Sequence, residues 1–247
     1  MESLVLLRHG QSLSNAEARF TGWTDVPLTA PGEKQAVQAA ALLAREGLAP
    51  DVVHTSVLRR SIRTADILLA EMDRSWIPVH RTWRLNERQY GALTGRAKRE
   101  VRLETGTERY QKWRRSLTAA PGPLAADELA RLRAEPRYAA LGDGLPAVES
   151  LADVITRVLP HWTDVIAQQL CTGRTVLVVA HGNALRALVT VLDRLTEHEV
   201  EGLNIPTGAP LCYRFDAAFR PVARGGRYLD PAAASAAADA VAAEGHD

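Results

Sequence analysis

The chain has 247 residues, 46% hydrophobic and 24% charged, which is enough to bury a sizeable core and excludes a largely disordered protein. With 30 Lys and Arg against 29 Asp and Glu, the formal charge of +1 excludes a general attraction to nucleic acid or an anionic membrane, so anion binding must come from local clusters of arginine. The two cysteines, Cys171 and Cys212, form no C-x-x-C pair and read as reduced packing thiols; the start has no signal-like pattern and no apolar run reaches the ~18 residues of a spanning helix, so a cytoplasmic protein is expected.

Leu4 to Leu7 is apolar on both faces, which predicts a buried strand ending at Arg8-His9-Gly10. A helix is expected after Thr29, its cap, with Pro31 in the first turn, Ala36, Val37, Ala40, Leu43 and Ala44 on the apolar face, and Gly47 as the stop. Residues 51–56 predict a short strand, and 57–72 an amphipathic helix with Leu58, Ile62, Ala65 and Leu69 on one stripe. Another short strand is expected around 77–84. Residues 85–148 break the alternation: they are rich in charge and proline, with helical pieces near 97–105 and 108–117 and little core signal from 118 to 148. They read as a lid insertion covering one end of the sheet. A long helix over 150–170 has Ser150 as cap and Pro160 as an expected kink. Residues 175–192 give the sharpest strand-to-helix transition, and 209–215 a further strand.

Strands alternating with helices predict an α/β fold, a mostly parallel central sheet with helices on both faces and a helical lid insertion. One domain is expected over 1–230. Residues 231–247 are alanine-rich, with high helix propensity but no large side chains to anchor them, and read as a mobile tail.

"VLLRHG" (5–10) and "VLVVAHG" (176–182) both end an apolar strand on His-Gly. In open α/β sheets ligands bind beyond the carboxyl ends of the strands, so two central strands would bring His9 and His181 to one crevice. Either His-Gly alone reads equally well as a surface turn. Arginine accompanies them: Arg8, Arg60, Arg88, and Arg114-Arg115 at the end of a helix. Guanidinium suits bidentate phosphate recognition, although each "RR" pair also suits a solvated helix face. No phosphate-loop lysine motif, dinucleotide glycine motif, zinc-protease helix or nucleophile elbow occurs. Histidines and arginines at strand ends suit phosphoryl transfer through a histidine nucleophile, with guanidinium groups in the charge-neutralising role that metals fill elsewhere. Glu87, between Arg84 and Arg88, is the candidate proton shuttle; a salt-bridged surface glutamate is its other reading.

The stretches "LLRHGQSLSN", "RFTGWTDVPLTAPG", "TSVLRRSIRTA", "WRLNERQYGALTG", "KWRR", "ESLADVITRVLPHW", "VAHGNALRALV" and "LNIPTGAPLCY" together resemble the cofactor-dependent phosphoglycerate mutases of the histidine phosphatase superfamily, from residue 3 to about 230. The resemblance implies that His9 is the phosphorylated nucleophile and Glu87 the proton donor and acceptor. Arg8, Arg60 and His181 would surround the transferred phosphoryl group, with Asn15 and the backbone at Gly182 and Asn183 donating further hydrogen bonds. Thr21, Gly22, Tyr90, Lys98, Arg114 and Arg115 would hold the substrate carboxylate and second phosphate. It further implies 2,3-bisphosphoglycerate as priming phosphoryl donor, no metal, a small phosphorylated substrate, and a homodimer or homotetramer. The chain departs from the family pattern at Gln11, Ser14, Ala18, Arg96 and Ala97, none of which carries a direct phosphoryl role. The competing reading is a phosphomonoesterase of the same superfamily; a silent phospho-ligand-binding protein and a metallohydrolase fit the residues less well.

Overall fold

A computed structural model describes residues 3–243 of the chain. In chain order the elements are β1 (Ser3–Arg8), α1 (Leu13–Ala16), α2 (Ala30–Arg45), β2 (Val52–Thr55), α3 (Arg59–Glu71), β3 (Val79–Arg81), α4 (Lys98–Thr105), α5 (Thr107–Arg115), α6 (Ala126–Arg133) and α7 (Leu151–His161). There follow α8 (Ala167–Cys171), β4 (Thr175–Ala180), α9 (Gly182–Asp193), α10 (Glu197–Gly202), β5 (Leu211–Arg214), β6 (Arg227–Tyr228) and α11 (Pro231–Ala243). The strands form one sheet in the order β3-β2-β4-β1-β5-β6, parallel from β3 to β1 and antiparallel at β5 and β6.

The two-residue period of a strand sorts the apolar run of β1 into two cores. Leu4 and Leu6, with Val176, Val178 and Ala180 of β4, pack against α7 and α9 through Leu151, Val154, Val158, Leu185 and Leu188. Val5 and Leu7, with Leu177 and Val179, face α2 and α3 through Ala39, Ala40, Leu43, Ala65 and Leu68. Strands buried on both sides therefore show no alternation in sequence, and the expected α/β architecture with helices on both faces is the one observed.

Local expectations fare unevenly. Thr29 caps α2 by accepting from Gly32 N, and Ser150 caps α7 in a reciprocal box with Asp153. The buried face of α2 is Gly32, Ala36, Ala39, Ala40 and Leu43; Val37 and Ala44, expected inside, are exposed. The kink expected at Pro160 is a π-helical turn, Trp162–Ile166, joining α7 to α8. Cys212 is a buried free thiol as read, whereas Cys171 is exposed and packs nothing. The segment with little core signal contains α6 and a 3₁₀ stretch, Pro136–Gly144; Tyr138 within that stretch and Leu145 just after it pack in one cluster with Trp23. That satellite core is assembled from residues distant in sequence, so no periodic run announces it. The alanine-rich segment is helical in α11, with Ala234 buried. No helix among the described residues is long and apolar enough to cross a membrane.

A histidine cluster sits where β2 meets α7 and α8. His54 Nε2 lies 2.7 Å from Gln169 Oε1, His161 Nε2 lies 3.0 Å from His54 Nδ1, and the His80 ring stacks on His54 at 5.1 Å. His54 donates through Nε2 and accepts through Nδ1, so protonating it would set a proton against the His161 donor. Burial pushes both His54 and His161 down to about 4. Depressed histidines add stability that is complete above the unfolded value near ~6.5 and is lost as pH falls towards the folded value. For His54 that loss is on the order of 2 kcal/mol at pH ~5. The urea midpoint is expected to fall between pH 7 and 5, and to fall less in His161→Gln. Equal slopes in both proteins would remove the cluster as the cause.

Candidate active site

β1 and β4 are neighbours in the middle of the sheet, with Arg8 in register with Ala180, and each ends on a histidine. His9 N–H donates to Ala180 O at 3.0 Å, and His181 is the N-cap residue of α9. The two rings meet edge to face with centroids 4.8 Å apart, so the convergence expected from sequence is observed. His9 Nδ1 lies 2.7 Å from Gly10 O; a carbonyl only accepts, so the proton sits on Nδ1 and Nε2 keeps its lone pair. Burial, then the Arg60 and Arg8 guanidiniums, hold the His9 pKa well below the ordinary histidine value. The imidazole is neutral at pH ~7. A neutral ring with an unprotonated Nε2 is the form that can attack phosphorus.

Gly10 is required by packing within the fold. A Cβ there would stand 2.1 Å from Gly32 O, so the residue must be glycine because the first turn of α2 lies against it, not because a ligand does. At Gly182 the nearest atoms to an added Cβ are Arg8 Cζ and Glu87 Oε2, both 3.6 Å away, and that glycine does border the site.

Arg60, on the first turn of α3, is fully buried. It donates from Nη1 to Thr24 O, from Nη2 to Gly22 O, and from Nε to His9 Nε2 at 3.3 Å. Burial brings its pKa down to about 10, which still leaves it charged at pH ~7. Arg8 Nη1 donates to Ile205 O, while its Nε is buried without a partner. Gly22 thus serves through its carbonyl, as an anchor for Arg60, and lines neither cleft.

Glu87 does not directly follow a strand; it lies in the loop after a 3₁₀ turn, Trp83–Leu85. Nor is it a surface salt bridge. It is 8% exposed, and Oε1 accepts from Arg88 N, Asn183 N and Asn183 Nδ2 at 2.8, 3.1 and 2.9 Å. Burial alone would raise the Glu87 pKa; those hydrogen bonds and the Arg8 and Arg60 charges outweigh it and hold the carboxylate form. Asn183 N–H is therefore engaged by Glu87, and its Nδ2 also donates to Tyr90 Oη at 2.9 Å. Arg84, the other neighbour in sequence, turns away to Arg157 O.

Two adjoining clefts share Arg8, Glu87, Tyr90 and Lys98. One adds His9, Asn15, Thr21 and Arg60; the other adds Arg114, Arg115, Gly182 and Asn183. His181 is not among the residues lining either and is fully buried beside His9. Asn15 also caps α1, its Oδ1 accepting from Ser12 N and Oγ. Gln11 and Arg96 line neither cleft: Gln11 Oε1 accepts from Thr29 Oγ1, and Arg96 pairs with Glu100 and Glu104 on α4. Ala18 holds a left-handed backbone with φ of 50°.

Several residues of the site escape sequence reasoning. Arg186, buried on α9, donates to Arg114 O, Arg115 O, Asn183 Oδ1 and Val200 O, tying the end of α5 to α9. An arginine inside the apolar "ALRALVTVL" is its one signal. Arg157 and Trp23 both donate to Glu87 O and fix the peptide that carries the carboxylate. Arg114 Nη2 donates to Val241 O of α11, which brings the C-terminal helix to the cleft. Buried donors without a partner, at Arg8 Nε, Arg88 Nε and Nη1, and Arg186 Nε, concentrate around this surface. No group of three or more His, Cys, Asp or Glu among the described residues is placed to hold a metal ion.

The sequence model of the histidine phosphatase superfamily (branch 1) matches residues 4–136 and 124–218. A 2,3-bisphosphoglycerate-dependent phosphoglycerate mutase of Clavibacter sepedonicus is 55% identical over 98% of this chain and 97% of its own length. The protein of the same name from Thermobifida fusca (strain YX) is 54% identical over 99% of this chain and 100% of its own. Among solved structures, a mycobacterial glucosyl-3-phosphoglycerate phosphatase in complex with VO3 superposes with a TM-score of 0.70 at 26% identity, over 92% of this chain and 97% of that one. With likeness running the length of the chain, it belongs to the histidine phosphatase superfamily, in the family of 2,3-bisphosphoglycerate-dependent phosphoglycerate mutases.

Proposed function

We propose that the chain interconverts 3-phosphoglycerate and 2-phosphoglycerate through a phosphohistidine at His9. The observation that carries this is the His9 Nε2 lone pair, facing Arg60 in a buried cluster that also holds Arg8, His181 and Glu87. Phosphorylated His9 gives its phosphoryl group to the free hydroxyl of 3-phosphoglycerate, and after the bisphosphorylated product has reoriented His9 takes the other phosphoryl group back. The Arg8 and Arg60 guanidiniums neutralise the equatorial oxygens as charge develops, in place of a metal ion, and His181 faces the same oxygens as a neutral hydrogen-bonding ring. Glu87 accepts the proton of the attacking hydroxyl and gives it back to the leaving one. Asn183 and the Arg88 N–H hold that carboxylate in place.

A mutase needs a second anion site opposite the nucleophile, so that the bisphosphorylated substrate stays and reorients. Lys98, Arg114 and Arg115, carried by α4 and α5, line the cleft that shares Arg8, Glu87 and Tyr90 with the nucleophile's own, and Thr21 lines the nucleophile's side. 2,3-Bisphosphoglycerate, when bound, supplies the phosphoryl group that primes His9, and the partnerless buried guanidinium donors fit so anionic a ligand. The partner is thus a small phosphorylated metabolite, met in the cytoplasm. Homodimeric or homotetrameric assembly is part of the same reading.

A phosphomonoesterase reading draws on the phosphatase fold at 26% identity; the 55% relatives favour the mutase. The deciding experiment measures isomerisation of 3-phosphoglycerate and hydrolysis of phosphomonoesters under one set of conditions. Wild type should isomerise far faster than it hydrolyses, and equal rates would replace the mutase with the phosphatase. Arg115→Ala is expected to lower the mutase-to-phosphatase ratio about tenfold, the worth of one charge-assisted hydrogen bond. An unchanged ratio would take Arg115 out of the anion site.

A further inference from the structure

We propose that Ser56 is a positioning residue that fixes the tautomer of His181, so that His181 offers an Nδ1–H to the phosphoryl group on His9. This rests on the phosphoryl-transfer reading above and adds a residue to it. Ser56 follows β2 directly and is fully buried. Its Oγ lies 2.7 Å from His181 Nε2, and Leu58 N–H donates to the same Oγ at 3.1 Å. A hydroxyl has one proton to give. With the Leu58 amide on one lone pair, that proton needs an acceptor, and His181 Nε2 is the acceptor within hydrogen-bonding reach. Nε2 must then present its lone pair, which leaves the ring proton on Nδ1.

His181 Nδ1 is buried and has no partner, although its ring lies edge to face against the nucleophile. A partnerless buried donor costs free energy, and one beside a site of negative charge is satisfied only when that charge arrives. Burial and the neighbouring Arg60 charge keep the ring neutral, so without the serine it could take either tautomer. The other tautomer would turn an Nδ1 lone pair towards phosphoryl oxygens. Ser56 is itself held firmly. Its N–H donates to Ser61 Oγ at 3.4 Å, and Ser61 Oγ donates to Val179 O, which ties the end of β2 to the strand that delivers His181.

The first test reads the proton directly. Full-length protein with ¹⁵N-histidine, at pH ~7.5 and with His181→Gln for assignment, should show His181 protonated at Nδ1 and unprotonated at Nε2. A ring protonated at Nε2, or at both nitrogens, overturns the proposal. The second test compares Ser56→Ala with Ser56→Thr, which keeps the hydroxyl. Ser56→Ala should slow phosphorylation of His9 about tenfold with KM little changed, and lose the fixed tautomer, while Ser56→Thr keeps both. Equal rates in wild type and Ser56→Ala refute it, and if Ser56→Ala fails to fold, the wild-type tautomer decides. A wild type that is phosphorylated but does not isomerise phosphoglycerate would defeat the mutase reading and leave this one standing.

Discussion

His9→Ala is expected to abolish both phosphoenzyme formation and mutase activity, by on the order of 10⁴-fold or more, because no neighbouring group can take over the attack. His181 is the only other imidazole in the buried cluster, and its Nε2 is engaged by Ser56. Wild type incubated with 2,3-bisphosphoglycerate should gain one acid-labile, alkali-stable phosphate on the peptide of residues 9–19, which mass spectrometry can locate. Label surviving in His9→Ala would move the nucleophile elsewhere. The pH dependence carries a second signature. His9 must be neutral to attack, and its pKa is held well below the ordinary value by burial and two arginines. Phosphorylation of His9 should therefore persist below pH ~6.5, where an unperturbed histidine would already be half protonated.

Glu87→Gln should retain the shape of the site while removing the transferable proton. The amide oxygen of glutamine can still accept from Arg88 N and the two Asn183 donors that Oε1 now serves. General acid-base catalysis contributes roughly 10²–10⁴-fold, so kcat should fall by about that factor with KM little changed. The direction of the Glu87 pKa sets the order of events. A carboxyl held below its usual range enters the cycle ionised, as the base towards the accepting hydroxyl, and acts as acid only after it has taken that proton. Near wild-type turnover in Glu87→Gln would reduce the residue to a buried anchor for Asn183.

What could be read from sequence was what local pattern encodes. Leu4–Leu7 and Thr175–Ala180 are apolar on both faces because helices cover both sides of the sheet, and a strand end followed by His-Gly marks the side where ligands bind. The meeting of His9 with His181 needed only that both strands be central. Family resemblance brought in residues such as Tyr90 and Lys98 that no period or spacing distinguishes. Partners distant along the chain stayed hidden. Ser56 meets His181 across 125 positions and Arg157 meets Glu87 across 70, and neither contact leaves a mark on its neighbours in sequence. The α6 helix was missed for the same reason: its Leu129 and Leu132 are only partly buried, against a cluster of Trp23, Tyr138 and Leu145 that lies outside the helix.

The placement of β4 between β1 and β2 also governs when this protein can become active on the ribosome. β1 leaves the exit tunnel first, yet its parallel neighbour is Thr175–Ala180, and the far edge of β1 is covered by Leu211–Arg214. An N-terminal half-chain thus carries His9, Arg60 and Glu87 but not the strand and helix that supply His181 and Asn183. Its apolar β1 must wait, uncovered on both edges, until most of the chain has been synthesised. Non-local parallel pairing of this kind is slow and leaves strand edges open to other chains. The strand that brings His181 and Asn183 to His9, Arg60 and Glu87 is the one that fills the gap between β1 and β2, so the cluster is complete only once that gap has closed.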